Sequence, residues 1–189
     1  MIWNFIPYCP ATKGAERFVG KDLGLAYDMY MGLVGPDDWV VMMDHDAMHL
    51  TPGWYRRFEA AVAVAAPDVG CFVPMTNRLV LKRSGWQMAG DMESDDIRYH
   101  RRIARQLAES RDDLDMVDVT NIHERPGNLA PLSGFCFCVR KAAWDDIGGV
   151  GSGFMHRDHE LHKRLAIRGW RVVLLRRMYV FHWFRGRQK

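Results

Sequence analysis

The run Trp39-Val-Val-Met-Met43 contains no polar residue and stops on Asp44-His45-Asp46. An unbroken apolar run of this length, preceded by the turn residues Pro36-Asp37-Asp38, reads as a strand covered on both faces. A strand that ends on two acids places them at the carboxyl edge of a sheet, where open α/β sheets bind ligands. Two hard oxygen donors at that edge suit Mg²⁺ or Mn²⁺ held against a phosphate-bearing substrate. Acids after a strand also serve as turn formers and helix caps, so the pair by itself leaves both uses open.

The segments around this strand alternate between strand and helix periods. Ile2 to Ile6 reads as a first strand that ends at Pro7, and the loop Ala11 to Lys21 follows it. Asp22 caps a helix with apolar positions Leu23, Ala26, Tyr27, Tyr30, Met31 and Val34, which Gly35-Pro36 ends. Thr51-Pro52 opens another helix, with Thr51 as cap and Pro52 at the first position. Val69 to Val73 is a short buried strand, with Thr76-Asn77-Arg78 at its carboxyl end, and Lys82 to Asp91 is irregular. A helix opens near Ser94-Asp95-Asp96 and runs through Ile97, Ile103 and Leu107. Met116 to Val119 and Phe135 to Val139 read as strands, separated by the turn-rich stretch Asn121 to Ala130. A short helix spans about Ala142 to Ile147. Gly148 to Gly153 reads as a flexible loop, and a helix from Asp158 to about Arg168 ends at Gly169. Arg171 to Leu175 and Met178 to Phe181 read as two closing strands.

This alternation predicts an α/β/α sandwich with a mixed, mostly parallel sheet. The 189 residues are read as one domain with room for a core. No apolar run approaches the roughly 20 residues that cross a bilayer, and the first residues lack the pattern of a signal peptide. Of the four cysteines, Cys71, Cys136 and Cys138 fall in strand-like segments and Cys9 does not. No zinc spacing is present, so they read as reduced core thiols of a cytoplasmic protein. Nine of the 26 Lys and Arg residues follow Glu160 and no acid does. That leaves a basic end segment on a chain whose earlier part is net acidic. Such a segment suits a polyanion or a diphosphate, or it is a solvated tail.

Three later segments bear on the acid pair. They are Gly153-Phe-Met-His-Arg157-Asp158-His-Glu160-Leu161, Ser133-Gly134-Phe135 with Trp144 and Gly148-Gly149 after it, and Tyr179-Val-Phe-His182-Trp183. With Asp44-His45-Asp46 and the helix start Asp22-Leu-Gly24-Leu-Ala26-Tyr27-Asp28, they stand in an order that resembles the family 2 glycosyltransferases. These are inverting enzymes of the GT-A fold, a Rossmann-related α/β/α sandwich, and this chain is similar to their small phage-type members. The resemblance runs from about Asp22 to His182. It implies transfer of a sugar from a nucleoside-diphosphate sugar to an acceptor hydroxyl, with Mn²⁺ or Mg²⁺, in the cytoplasm of a bacterial or phage-infected cell.

The resemblance also implies roles. Asp46 would hold the metal, Asp44 would face the donor ribose or the metal shell, and His182 would complete the metal site. Asp158 would be the base that deprotonates the acceptor. Ser133 and Gly134 would lie beside the donor sugar and acceptor. Apart from the resemblance, Asn77 and Arg78 at their sheet edge are read as substrate-binding, with Arg78 on the diphosphate or acceptor because arginine pairs well with such oxygens. The usual Glu before the base is Arg157 here. The part that reads the nucleotide base is shortened: about seventeen residues separate Pro7 from Gly24. Pro7, Tyr8, Asp22 and Gly24 are assigned to the donor pocket on this basis, with Tyr8, Lys13 or Asp22 in place of the missing base-reading carboxylate.

Each residue also has a plainer use. Asp158 is a good helix cap, and His182 between Phe181 and Trp183 suits a core. His156, His159 and His162 are helical neighbours that would, less simply, make a second metal site. Two other functions use the same features. One is a nucleic-acid-binding module built on the basic end and its aromatics Trp170, Tyr179, Trp183 and Phe184. The other is a metal-dependent hydrolase or nuclease, which needs further carboxylates. The transferase and nucleic-acid readings combine if the acceptor is a hydroxymethylated base in DNA. Otherwise the acceptor is a glycan or a small molecule.

Overall fold

The computed structural model describes residues 1–7, 22–78, 85–91, 93–109, 114–122, 132–153 and 156–183. In chain order these form β1 (Ile2–Phe5), α1 (Leu23–Met31), β2 (Trp39–Met43), β3 (Ala47–His49), α2 (Trp54–Ala63) and β4 (Val69–Thr76). A 3₁₀ turn (Gly85–Gln87), α3 (Ile97–Ala108), β5 (Met116–Asp118), β6 (Cys136–Arg140), α4 (Lys141–Asp146), α5 (Arg157–Ile167) and β7 (Arg171–His182) follow.

All seven strands join one sheet in the order β1-β2-β6-β4-β7-β3, and β5 also pairs with β7. Alternation along the strands divides the core in two. Val40, Met42, Phe137, Val139, Val172 and Leu174 pack with residues of α1, α3, α4 and α5. Trp39, Val41, Met43, Phe72, Cys136 and Cys138 pack with Phe58 and Ala61 of α2. Every residue of β2 is buried, as a strand with helices on both faces requires. Each large apolar side chain placed this way contributes roughly 1.5–3 kcal/mol. Cys71, Cys136 and Cys138 are buried free thiols, and burial pushes them all up from the ordinary thiol range. Cys9 lies outside the described residues.

The expected mixed α/β architecture is present, but the sheet is not mostly parallel. β1–β2 and β4–β7 pair in parallel, whereas β2–β6, β4–β6, β3–β7 and β5–β7 are antiparallel. Two placements cause this. β6 inserts between β2 and β4 and runs against both, and β7 carries antiparallel partners at each end of its other edge.

Two further expectations change. Arg171–Leu175 and Met178–Phe181 are one strand, because a register shift against β4 absorbs Arg176, Arg177 and Met178 between the pairs Pro74–Leu175 and Met75–Tyr179. Thr51 does not cap α2. Its hydroxyl accepts the Tyr179 N–H at 2.8 Å, and α2 begins after Gly53 in the left-handed region at φ 64°.

Gly148–Gly153 is not a free loop. Asp22 caps α1 through the Leu25 N–H and also accepts the Gly153 N–H, both at 2.8 Å, and the Ser152 hydroxyl bonds to the same carboxylate. These donors, Ser152 first, hold the Asp22 carboxyl below its usual range. The Gly24 N–H donates to Gly153 O at 2.9 Å. A Cβ at Gly24 would stand 1.8 Å from Gly151 O, so only glycine permits the contact. Arg157 closes the arrangement by donating to Val150 O and Ser152 O at 3.0 and 2.9 Å.

Of the nine basic residues after Glu160, five pair with acids at the surface, while Arg185, Arg187 and Lys189 lie outside the described residues. Arg164 pairs with Glu160, Arg168 with Asp146, Arg171 with Asp68 and Asp118, and Arg176 and Arg177 with Asp115. Among the described residues no helix is long and apolar enough to cross a membrane.

Candidate metal centre

The pairing directions bring four strand ends to one edge. β1, β2, β4 and β7 all end there and β6 begins there. Pro7 follows β1 and is buried; it stands two residues past the register pair Phe5–Met42. Asp44 follows β2, Asn77 and Arg78 follow β4, His182 closes β7, and Ser133-Gly134-Phe135 leads into β6.

At this edge Asp44, Asp46 and His182 bring ligand atoms within 4.8 Å of one another. His182 Nε2 stands 3.2 Å from Asp46 Oδ1 and 3.9 Å from Asp44 Oδ2. The backbone fixes the two acids. The Asp44 N–H donates to Phe135 O at 2.9 Å, and the Trp183 N–H donates to Asp46 O at 3.0 Å. The turn between them is closed by the Ala47 N–H to Asp44 O at 3.0 Å. The Phe135 ring lies flat on the His182 imidazole, with centroids 3.6 Å apart and planes 1° apart.

The charge at the site is unbalanced without a cation. Burial, then the neighbouring Asp46 and Asp158, push the Asp44 carboxyl up to about 7. A divalent cation held by two carboxylates and an imidazole removes that penalty. The oxygen-oxygen-nitrogen donor set fits Mn²⁺ and also Mg²⁺ with retained waters. The residues present therefore fit the metal that the sequence suggests.

A pH dependence follows. The folded pKa of Asp44 lies above its unfolded value, so the protonated form stabilises the fold, and that contribution is lost as pH rises through about 7. Metal requires the ionised form, so metal affinity moves the other way. Without metal, the melting temperature should fall between pH 6 and pH 8. The increment from Mn²⁺ should grow over the same interval, with affinity about tenfold higher at pH 8 for one coupled proton. An Mn²⁺ increment no larger at pH 8 than at pH 6 would remove Asp44 from the site.

Asp158 lies beside this cluster on the first turn of α5. It is not the helix cap: His156 holds that position, in the left-handed region at φ 62° and without a side-chain capping bond. Asp158 Oδ2 accepts the Gly134 N–H at 2.8 Å. A Cβ at Gly134 would meet the Asp158 Cβ at 2.6 Å, so the glycine makes room for the acid. Ser133 is buried, and its N–H donates to Gln87 Oε1 at 2.7 Å while Gln87 Nε2 reaches Pro74 O at 3.0 Å. Gln87 thus ties the start of β6 to β4.

Other expected site residues go elsewhere. Arg78 does not present its guanidinium to a diphosphate: the side chain is 6% exposed and paired with Asp95. Nε donates to His182 O at 3.2 Å. Asn77 is fully buried and also bonds the His182 backbone. Asp22 and Gly24 anchor α1 to the glycine segment, and the Asp22 oxygens are taken by that contact. Tyr8 and Lys13 lie outside the described residues. His162 is structural: Nδ1 accepts the Leu132 N–H at 2.9 Å and Nε2 faces Thr120 O at 2.8 Å. Asp44, Asp46 and His182 are the one group of three or more metal-ligating side chains among the described residues.

Comparison with protein-family models gives no match, and comparison with curated proteins gives none either. The functional reading therefore rests on the site and on the motif order in the chain. Phe135 and Gln87 belong to the site but carry no signal in the sequence. Phe135 reads as a strand residue, and its stacking on His182 exists only because β6 starts where β7 ends.

Proposed function

We propose that the protein is a metal-dependent inverting glycosyltransferase of the GT-A type, using a nucleoside-diphosphate sugar as donor. The observation that carries this reading is the convergence of Asp44, Asp46 and His182 at the carboxyl edge, with Asp158 beside them. These residues come from three separate segments that the motif order had linked. Asp44, Asp46 and His182 would hold Mn²⁺ or Mg²⁺. The metal would supply Lewis-acid stabilisation of the charge that builds on a departing diphosphate.

Asp158 takes the proton from the acceptor hydroxyl as its oxygen attacks the anomeric carbon and the bond to the diphosphate breaks. The Gly134 N–H holds Oδ2 at 2.8 Å and the His159 N–H holds Oδ1 at 2.9 Å, so both oxygens are fixed and each keeps a lone pair for the acceptor proton. A single in-line displacement, with this one base on the acceptor side, inverts the sugar carbon.

The alternatives have less support. Five arginines of the nucleic-acid reading, Arg164, Arg168, Arg171, Arg176 and Arg177, are paired with acids from earlier in the chain, and its last residues, from Phe184 on, lie outside the described residues. A two-metal hydrolase needs a second carboxylate set, and the described residues provide one cluster. The reading is tested by titrating UDP, GDP and CDP by calorimetry with Mn²⁺, Mg²⁺ or EDTA present. Binding of at least one diphosphate that requires the metal is expected. Binding unaffected by EDTA, or none for any nucleotide, overturns it. Hydrolysis of a phosphodiester without a sugar donor points instead to the hydrolase.

A further inference from the structure

His182 is the last residue of β7, where a strand has least support from its neighbours. One edge of β7 is held there by β3, whose Ala47 stands opposite His182. The other edge faces β4, and that ladder ends at the pair Thr76–Val180. Val180 and His182 turn their N–H and C=O groups the same way, because hydrogen-bonding direction alternates along a strand. The His182 N–H and C=O therefore point to where β4 has already stopped.

The Asn77 side chain fills that place. Its Oδ1 accepts the His182 N–H at 2.8 Å, and its Nδ2 donates to His182 O at 3.2 Å. A primary amide offers one acceptor and a donor side by side, the same pair that a neighbouring backbone would present. Arg78 adds a second donor to the same carbonyl through Nε at 3.2 Å, and Nη2 is held by Asp95 at 3.3 Å. Asn77 is fully buried, so water does not compete with its two bonds. Phe135 covers the imidazole face. The ring of His182 is thus fixed by stacking and its backbone by Asn77 and Arg78.

We propose that Asn77 is a positioning residue of the metal centre: by extending the β4 ladder with its side-chain amide, it holds His182 at the angle that aims Nε2 at Asp44 and Asp46. This rests on the metal-site reading above. The Asn77 amide bonds the His182 backbone and neither acid of the cluster, so its influence on the metal passes through His182. Residues that orient a metal-ligating histidine typically change metal affinity by 10- to 100-fold.

The test uses Mn²⁺ alone as the probe, titrated at pH 7.5 and followed by calorimetry and by the electron paramagnetic resonance of free Mn²⁺. Asn77→Ala should weaken Mn²⁺ binding by about tenfold or more while the circular dichroism spectrum stays that of the wild type. In the His182→Ala background, titrated to millimolar Mn²⁺ to read whatever affinity Asp44 and Asp46 retain, Asn77→Ala should change that affinity by less than about twofold, since coupled residues lose their effect when the partner is gone. Equal Mn²⁺ affinity of Asn77→Ala and the wild type overturns the proposal. The same loss in both backgrounds also overturns it, because the effect would then not pass through His182. If Asn77→Ala does not fold, Asn77→Ser in the same two backgrounds gives the same comparison with a hydroxyl left at the site. No Mn²⁺ binding by the wild type would remove the metal-site reading and this role together. Binding by the wild type with no effect of Asn77 removes this role only.

Discussion

Asp46→Ala is expected to abolish metal-dependent nucleotide binding and, at pH 8, to leave the metal-free protein no less stable than the wild type. The first half follows from geometry. Asp46 offers the carboxylate closest to His182 Nε2, at 3.2 Å. Loss of an outer partner of a metal ligand already weakens binding 10- to 100-fold, so loss of a direct ligand should weaken Mn²⁺ binding by at least about 100-fold. The second half follows from charge. Asp46 is one of the groups that push Asp44 up to about 7. With Asp46 gone, Asp44 ionises at lower pH and its ionisation at pH 8 weakens the fold less. Calorimetry with Mn²⁺ and a nucleoside diphosphate, beside thermal melts at pH 8, reads both. A variant that binds Mn²⁺ and nucleotide as tightly as the wild type would end the metal assignment.

The second large effect concerns the base. Asp158→Asn should reduce sugar transfer by about 10²- to 10⁴-fold, the usual range for loss of a positioned general base. It should leave Mn²⁺ and nucleotide affinities within a few-fold of wild type. The choice of Asn separates two uses of the residue. Asparagine keeps an oxygen for the Gly134 N–H, now at 2.8 Å, but turns its NH2 toward the His159 N–H that Oδ1 now accepts at 2.9 Å, so unchanged Mn²⁺ and nucleotide affinities are the control that the site is intact. Gly134→Ala should act on the same step from the other side. Its Cβ would stand 2.6 Å from the Asp158 Cβ and 3.0 Å from its carboxylate, so the acid must move aside. Turnover of the two variants, set against their nucleotide affinities, makes the comparison. Transfer by Asp158→Asn at the wild-type rate would assign the proton to another group.

Much of the site was legible in the chain because its ligands sit at strand and helix ends. A fully apolar run that stops on acids must place them at a sheet edge, and Asp44 and Asp46 are there. His182 was readable for the same reason, as the end of another apolar strand. Arg78 was misread. An arginine after a buried strand is a natural ligand for phosphate, but here its guanidinium is inside, bonded to His182 O and Asp95. Asp22 was misread in a similar way. Its oxygens meet Gly153 and Ser152, more than a hundred residues away in sequence. No local pattern announces such a contact.

Apart from β3 and the continuity of β7, the sequence by itself determined most of the periods, which strand is buried on both faces, and which acids and histidine stand at element ends. Those are short-range properties, set by side-chain alternation and by turn and cap chemistry over a few residues. The tertiary structure alone decided the pairing. It placed β6 antiparallel between β2 and β4, which brings Gly134 to Asp158 and lays Phe135 on His182. It ended the β4 ladder just short of His182, so that Asn77 became the partner of that backbone. The physical reason is that hydrogen-bonding demand at a strand end is met by whichever group the neighbouring strand brings there. That choice is made across the sheet, by residues distant in the chain, and not along it.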